Sequence, residues 1–243
     1  MAVSVDIKAL LEAGLHFGHK TSRWHPKMAP YIHSKRQDNH IIDLTKTVEG
    51  LETALPFLTK VAASGKSVLF VATKKHTKDA VKAAAEALGQ PYMVNRWLGG
   101  TLTNVNTVSA QIKKLKDLEK KLASGELENK YNKLEIQRFQ EEADELELKY
   151  GGIKNLNGKP GAVFIIDVLG DINAIKEAKT IGVPVVAVVD TNADPSLIDY
   201  VIPANDDAIK GVDLLLDYVS QAINEGKSKA KPTEAESAAQ KSE

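Results

Sequence analysis

Hydrophobic positions along this chain follow two alternating rhythms, and a third intrudes in the middle. Continuous apolar runs of strand length recur at 67–72 (SVLFVA), 162–168 (AVFIIDV) and 183–189 (VPVVAVV). Runs without polar alternation predict strands buried on both faces. Between them lie segments with apolar residues three or four apart. Residues 46–63 place Val48, Leu51, Leu55, Leu58 and Ala62 on one face; Asp43 and Thr45 can cap this helix, and Pro56 is expected to kink it. Further helices are expected over 6–13, 76–88, 171–180 and 206–224, the last faced by Ile209, Val212, Leu216 and Val219. Shorter strands are read at 40–44, 91–94 and 200–202. Strand alternating with helix predicts a parallel sheet with helices on its faces.

The middle breaks that alternation. From Val105 the chain sets Val108, Ile112, Leu115 and Leu122 on one stripe, with Glu119 as its polar member, and from Ile136 it sets Phe139, Ala143, Leu146 and Tyr150 on another. Two such stripes around the polar connector 123–130 predict an antiparallel coiled-coil hairpin. Each helix should reach ~27 Å, for about 18 residues at 1.5 Å each. Glu141, Glu142, Asp144, Glu145 and Glu147 make its second helix acidic, a solvated face or one for a basic partner. The expected organisation is an α/β domain from 1–104 and 151–225, a hairpin insertion at 105–150, and a tail at 226–243. Without aromatic residues or periodicity, the tail is expected to be disordered.

Composition narrows the classes. Hydrophobic residues make up 43% of the 243 positions, enough for a substantial core, and cysteine is absent, which excludes disulfides and thiolate metal sites. Asp6 and Lys8 interrupt the apolar run a signal peptide would need, and no stretch approaches the ~20 residues of a membrane span, so a cytoplasmic location is expected. Net charge is zero but unevenly spread. Residues 1–121 carry 19 Lys and Arg against 10 Asp and Glu, and residues 122–243 carry 13 against 22. Such asymmetry suggests a basic face for a polyanion, unless folding interleaves the two halves.

The basic residues concentrate in loops. Segment 16–36 holds Lys20, Arg23, Lys27, Lys35 and Arg36, four of the six histidines and Trp24, with no Asp or Glu. Gly18, Pro26 and Pro30 argue against a regular helix there, so an irregular arm is expected. A second loop, 95–106 (NRWLGGTLTNVN), offers Arg96, Thr101 and Asn104 around a Gly-Gly pair and leads into Lys113 and Lys114. Glycines allow backbone approach, hydroxyls and amides reach sugar and phosphate oxygens, and arginine forks phosphate. Lys74 and Lys75 form a third basic site where a helix begins. No GxGxxG, GxxxxGK[ST] or GxSxG motif occurs, against a dinucleotide enzyme, a P-loop enzyme or a nucleophile-elbow hydrolase. His16 and His19, three apart, and Asp190, Asp194, Asp206 and Asp207, at or beyond expected strand ends, offer ligands for a structural zinc or magnesium ion, with His19, Asp190 and Asp206 as the candidate set; the favoured reading of the histidines is instead hydrogen bonding to backbone or RNA phosphate.

The runs HFGHKTSRWHPKMAPYI, HIIDLTKTVEGL, RWLGGTLTN, GGIKNLNGKPGAVFIID and IGVPVVAVVDTNADPSLIDYVIPANDDAI closely resemble the bacterial small-subunit ribosomal protein two family. Ala72 stands where that family usually has glycine. The resemblance implies a three-layer flavodoxin-like domain with a protruding hairpin, built into the small ribosomal subunit and without catalysis. It implies small-subunit ribosomal RNA and neighbouring ribosomal proteins as partners, including the large protein that captures messenger RNA. Lys20, Arg23, Trp24, Lys27, Lys74, Lys75, Arg96, Thr101, Asn104 and Lys113 match positions expected to face RNA. The alternatives are a metal- or nucleotide-dependent α/β enzyme using the crevice near Asp190 and Asp206, and a non-ribosomal adaptor working through the hairpin.

Overall fold

The structure, a computed structural model, describes residues 5–124, 131–156 and 158–229. Helix α1 (Ile7–Glu12) opens it, with the Asp6 carboxylate accepting the Lys8 N–H as an N-cap. Three short strands follow, β1 (Phe17–Lys20), β2 (Ile32–Arg36) and β3 (Asn39–Ile42), in an antiparallel sheet of order β1-β3-β2. This corrects two expectations. Segment 16–36 is not an irregular arm throughout, since β1 and β2 flank its two 3-10 segments, Thr21–Arg23 and Pro26–Tyr31. Nor does 40–44 join the parallel sheet. Gln37 and Asp38 both adopt positive φ, 47° and 63°, so the chain reverses in two residues and delivers β3 back onto β2.

The remaining elements are α2 (Leu44–Ala63), β4 (Val68–Val71), α3 (Lys78–Ala87), β5 (Tyr92–Met93), α4 (Val105–Ala123), α5 (Lys133–Tyr150), β6 (Ala162–Ile165), α6 (Ile172–Thr180), β7 (Val185–Val189), β8 (Tyr200–Pro203) and α7 (Ile209–Lys229). Strands β4 to β8 pair in parallel in the order β5-β4-β6-β7-β8. The first of the five thus has the second on one side and the other three beyond, the flavodoxin-like order. Its direction reverses between β4 and β6, and ligand crevices of such folds open there, beyond the strands' carboxyl ends.

Alternation along each strand feeds two cores. Val68, Phe70, Phe164, Val186 and Val188 pack with α2, α3 and α7 on one face, whereas Leu69, Val71, Val163, Ile165 and Ala187 pack with α6 and Trp97 on the other. Phe70 and Phe164, paired in register, meet edge to face with centroids 5.4 Å apart. Helix α2 runs through Pro56 as one element.

Helices α4 and α5 pack through Leu115, Leu118, Ala143 and Leu146, with Leu122, Phe139 and Tyr150 alongside. Two features differ from the sequence pattern. Leu118, not Glu119, fills the seam, and Val108 and Ile112 pack on the core of the sheet. Helix α7 runs on past Gly226, where the tail was expected to begin, to Lys229, the last described residue; Gly226 nestles against α2, and Lys227 donates from its ammonium to the Leu88 carbonyl. The rest of the expected tail and most of the 123–130 connector lie outside the described residues. Among the described residues no helix is long and apolar enough to cross a membrane.

Candidate functional site

Beyond the carboxyl ends of β4, β6, β7 and β8 the chain turns polar, and the turns converge. Thr73 and Lys74 follow β4, Asp167 and Asp171 follow β6, Asp190 follows β7, and Asp206 and Asp207 follow β8. β1 reaches over this edge from the small sheet. It comes close because residue 18 is glycine: a Cβ there would lie 2.6 Å from the Thr191 methyl. The His19 N–H then donates to Thr191 Oγ1 at 2.9 Å, and the imidazole is aimed into the acidic group.

His19 Nδ1 lies 3.0 Å from Asp190 Oδ2 and its Nε2 lies 3.4 Å from Asp207 Oδ2. Lys74 Nζ lies 2.6 Å from Asp206 Oδ1, 2.9 Å from Asp207 Oδ1 and 3.9 Å from Asp167 Oδ2. Burial and the neighbouring Asp190 push the Asp206 carboxyl up to about 7 against the pull of Lys74. Although burial acts to raise Asp207, contact with Lys74 holds it below the usual carboxylate range, with His19 and His76 adding to the effect. The hydrogen bond to Asp190 raises the His19 pKa above its ordinary value, burial opposing. Deeper in, Asp171 accepts from Thr73 N at 3.2 Å and Thr73 Oγ1 at 3.0 Å, and its burial pushes it up to about 6.

The donor set fits a divalent cation. A neutral imidazole carries one N–H, yet both nitrogens of His19 face carboxylates; the ring must be imidazolium, or one N–H must give way to a metal. Donor atoms of His19, Asp206 and Asp207 lie within 4.8 Å of one another. Asp190 backs the opposite nitrogen at 3.0 Å, as carboxylates that orient a ligating histidine do. The structure thus brings together all three residues of the candidate set, with Asp207 beside them and Asp194 apart, against Lys27 and His25. The adjacent Asp206–Asp207 pair offered no means, in the sequence, of deciding which carboxylate reaches the imidazole. His16 does not join them: its ring lies against Phe17, tilted by 39° with centroids 3.9 Å apart, and burial lowers its pKa.

The basic candidates divide by surroundings. Lys20, Arg23, Arg36, Lys75, Arg96 and Lys113 are exposed. Trp24 is 39% exposed and leans on His40 at 5.3 Å between centroids. Lys27 donates to Asp194 at 3.0 Å and Ser196 at 2.6 Å, which ties the segment to the turn after β7, and the carboxylate of Asp194 lies 3.9 Å from His25 Nε2. Lys35 pairs with Asp38, and Lys114 pairs with Glu142 across the two helices. Lys74 is turned inward to the carboxylates. Thr101 is buried, its hydroxyl donating to the Leu98 carbonyl, and Asn104 caps α4 by accepting from Thr107. The loop that carries Arg96 is held by a residue absent from every sequence motif, Glu177 of α6, whose carboxylate accepts from the Gly100 and Leu102 N–H groups.

The flavodoxin-like order, the helical pair between β5 and β6 and the basic loops fit the comparison with known proteins. The sequence profile described as ribosomal protein S2 matches residues 10–226. This chain belongs to the ribosomal protein S2 family. Small ribosomal subunit protein uS2 of Roseiflexus sp. (strain RS-1) is 47% identical over 232 residues, covering 96% of this chain and 88% of that protein. The protein of the same name from Roseiflexus castenholzii (strain DSM 13941 / HLO8) is 46% identical over the same coverage. The S2 match spans both halves of the α/β sheet and both helices between them, so it covers the carboxylate cluster and each basic loop.

Proposed function

We infer that this chain is a structural constituent of the small ribosomal subunit and serves translation by binding ribosomal RNA and neighbouring ribosomal proteins, without catalysis. The observation that carries this is the family match along 10–226, reinforced by two uS2 relatives aligned over 96% of the chain. Residues 1–104 and 151–225 are the globular unit, and 105–150 an inserted arm. Exposed Lys20, Arg23, Arg36, Lys75, Arg96 and Lys113 neutralise phosphates at positions set by RNA shape, and Trp24 offers an aromatic face. Neighbouring ribosomal proteins, the large mRNA-capturing protein among them, are the protein partners of this reading.

Support for a non-catalytic role comes from the crevice at the switch point, where Lys74 neutralises Asp206 and Asp207. A zinc or magnesium ion held by His19, Asp206 and Asp207 would fix β1 to the end of β8, a structural rather than a reactive task. The test is assembly: the protein should enter small subunits reconstituted without it and bind small-subunit ribosomal RNA with affinity that falls steeply with salt. Turnover of a small molecule with no affinity for that RNA would refute the reading.

A further inference from the structure

Glu177 sits at the middle of a ring of donors. Its Oε1 accepts from Trp97 Nε1 at 2.9 Å and from Gly100 N at 2.8 Å; its Oε2 accepts from Leu102 N at 3.0 Å, Thr103 N at 3.3 Å and Thr103 Oγ1 at 3.2 Å. Five donors on two oxygens call for a group with no hydrogens of its own. A glutamine would turn its NH2 against one set of donors, and an aspartate is one methylene shorter. The Gly100, Leu102 and Thr103 amides are therefore engaged by the chain's own carboxylate rather than left for RNA phosphate. Arg96 lies immediately before the ring, and Asn104, cap of α4, immediately after it, its N–H donating to the Gly100 carbonyl at 2.7 Å.

We propose that Glu177 is the positioning residue for segment 96–104, holding it folded in advance so that Arg96 and the start of α4 meet ribosomal RNA without an ordering cost at binding. The proposal rests on the reading that this loop faces RNA. Glu177 itself touches no RNA, so its effect must pass through the loop.

The test uses the full chain and its Glu177→Gln, Arg96→Ala and double variants, with small-subunit ribosomal RNA as the probe. In Glu177→Gln, exchange at the Gly100, Leu102 and Thr103 amides should rise about tenfold or more while the β6 and β7 amides hold, since charge-assisted bonds to one carboxylate are lost locally. RNA affinity should fall about tenfold, and the double variant should bind no more weakly than the worse single variant, because both act through one loop. If Glu177→Gln fails to fold, Trp97→Phe removes one donor, keeps an aromatic ring, and should give about a threefold loss of the same kind. Unchanged exchange at those three amides overturns the proposal, and so do losses that add in the double variant. If Arg96→Ala weakens binding and Glu177→Gln does not, the positioning role fails and the RNA-facing loop stands; if neither weakens it, the loop reading fails first.

Discussion

Lys154 places its ammonium 2.5 Å from a Glu119 carboxylate oxygen, which fastens the turn after α5 to α4. The same ammonium is 2.7 Å from Glu147. Glu119, the polar member of an otherwise apolar stripe, thus has a partner from outside the helical pair. Because both carboxylates are more than two-fifths exposed, Lys154→Ala should cost about 1 kcal/mol or less in denaturant unfolding. Its larger effect should be local, with faster limited proteolysis within 105–150.

Gly50 of α2 and Gly226 of α7 should be intolerant of alanine. An added Cβ would lie 2.4 Å from the Val201 carbonyl oxygen at position 50 and 2.4 Å from the Thr59 carbonyl oxygen at position 226. In an open helix interior, glycine to alanine stabilises by about 1 kcal/mol. Here overpacking against backbone should reverse the sign, each change lowering stability by about 1–3 kcal/mol. Gly99, with nothing within 4 Å of its added Cβ, is the control, and Gly99→Ala should leave the unfolding midpoint nearly unchanged.

These contacts mark where the sequence was readable. Val68–Val71 and Val185–Val189 declare themselves as strands because no polar residue interrupts them, and their alternation with α2, α3, α6 and α7 predicts the parallel sheet. The small sheet is hidden because Gln37 and Asp38 form its turn without the glycine or asparagine that usually announces positive φ. From Leu115 the α4 stripe can step four to Glu119 or three to Leu118; packing selects the leucine. Glu177 leaves no trace at all. Its partners are mostly backbone amides some seventy-five residues earlier, and backbone carries no side-chain signature.

Arg23 and Lys27, four residues apart, should differ in their effect on RNA binding. Arg23 is exposed, whereas Lys27 is already engaged by Asp194 and Ser196. Arg23→Ala should therefore reduce the slope of log affinity against log salt by about 1, as loss of one phosphate contact does. Lys27→Ala should change the slope less and should loosen the 3-10 segment that Lys27 ties to the β7 turn. Affinities measured across a salt series separate the two; equal slopes for both variants would count against the distinction.

Acid should release the loop at 96–104 only at low pH. Burial acts to raise the Glu177 carboxyl, but the bonds from Trp97, Leu102, Gly100 and Thr103 outweigh it and leave the group below its ordinary 4.5. A carboxylate depressed on folding contributes stability that is present above its unfolded value and is lost as pH falls through the folded one. Amide protection at Gly100, Leu102 and Thr103 should thus hold at pH 5 and be lost only as pH falls below the ordinary glutamate value. Loss of that protection between pH 7 and pH 5 would show that the carboxylate is not what holds the loop.

Cation binding at His19 should strengthen as pH rises. The hydrogen bond to Asp190 lifts the imidazole above its ordinary 6.5, so a proton competes with metal through neutrality, and binding must expel it. In the cation-free protein, the protonated His19 contributes stability that is complete below 6.5 and is lost as pH rises through the folded value. A bound zinc ion should replace that contribution at high pH, so added zinc should raise the unfolding midpoint more at pH 8 than at pH 6. His19→Ala and Asp207→Asn should each abolish the zinc-dependent shift. Asp190→Asn should weaken zinc binding by about 10–100-fold without abolishing it, since Asp190 orients the imidazole from the far side. Metal analysis after dialysis, set beside thermal unfolding at the two pH values, reads both outcomes, and equal zinc content in wild type and His19→Ala would remove the imidazole from the site.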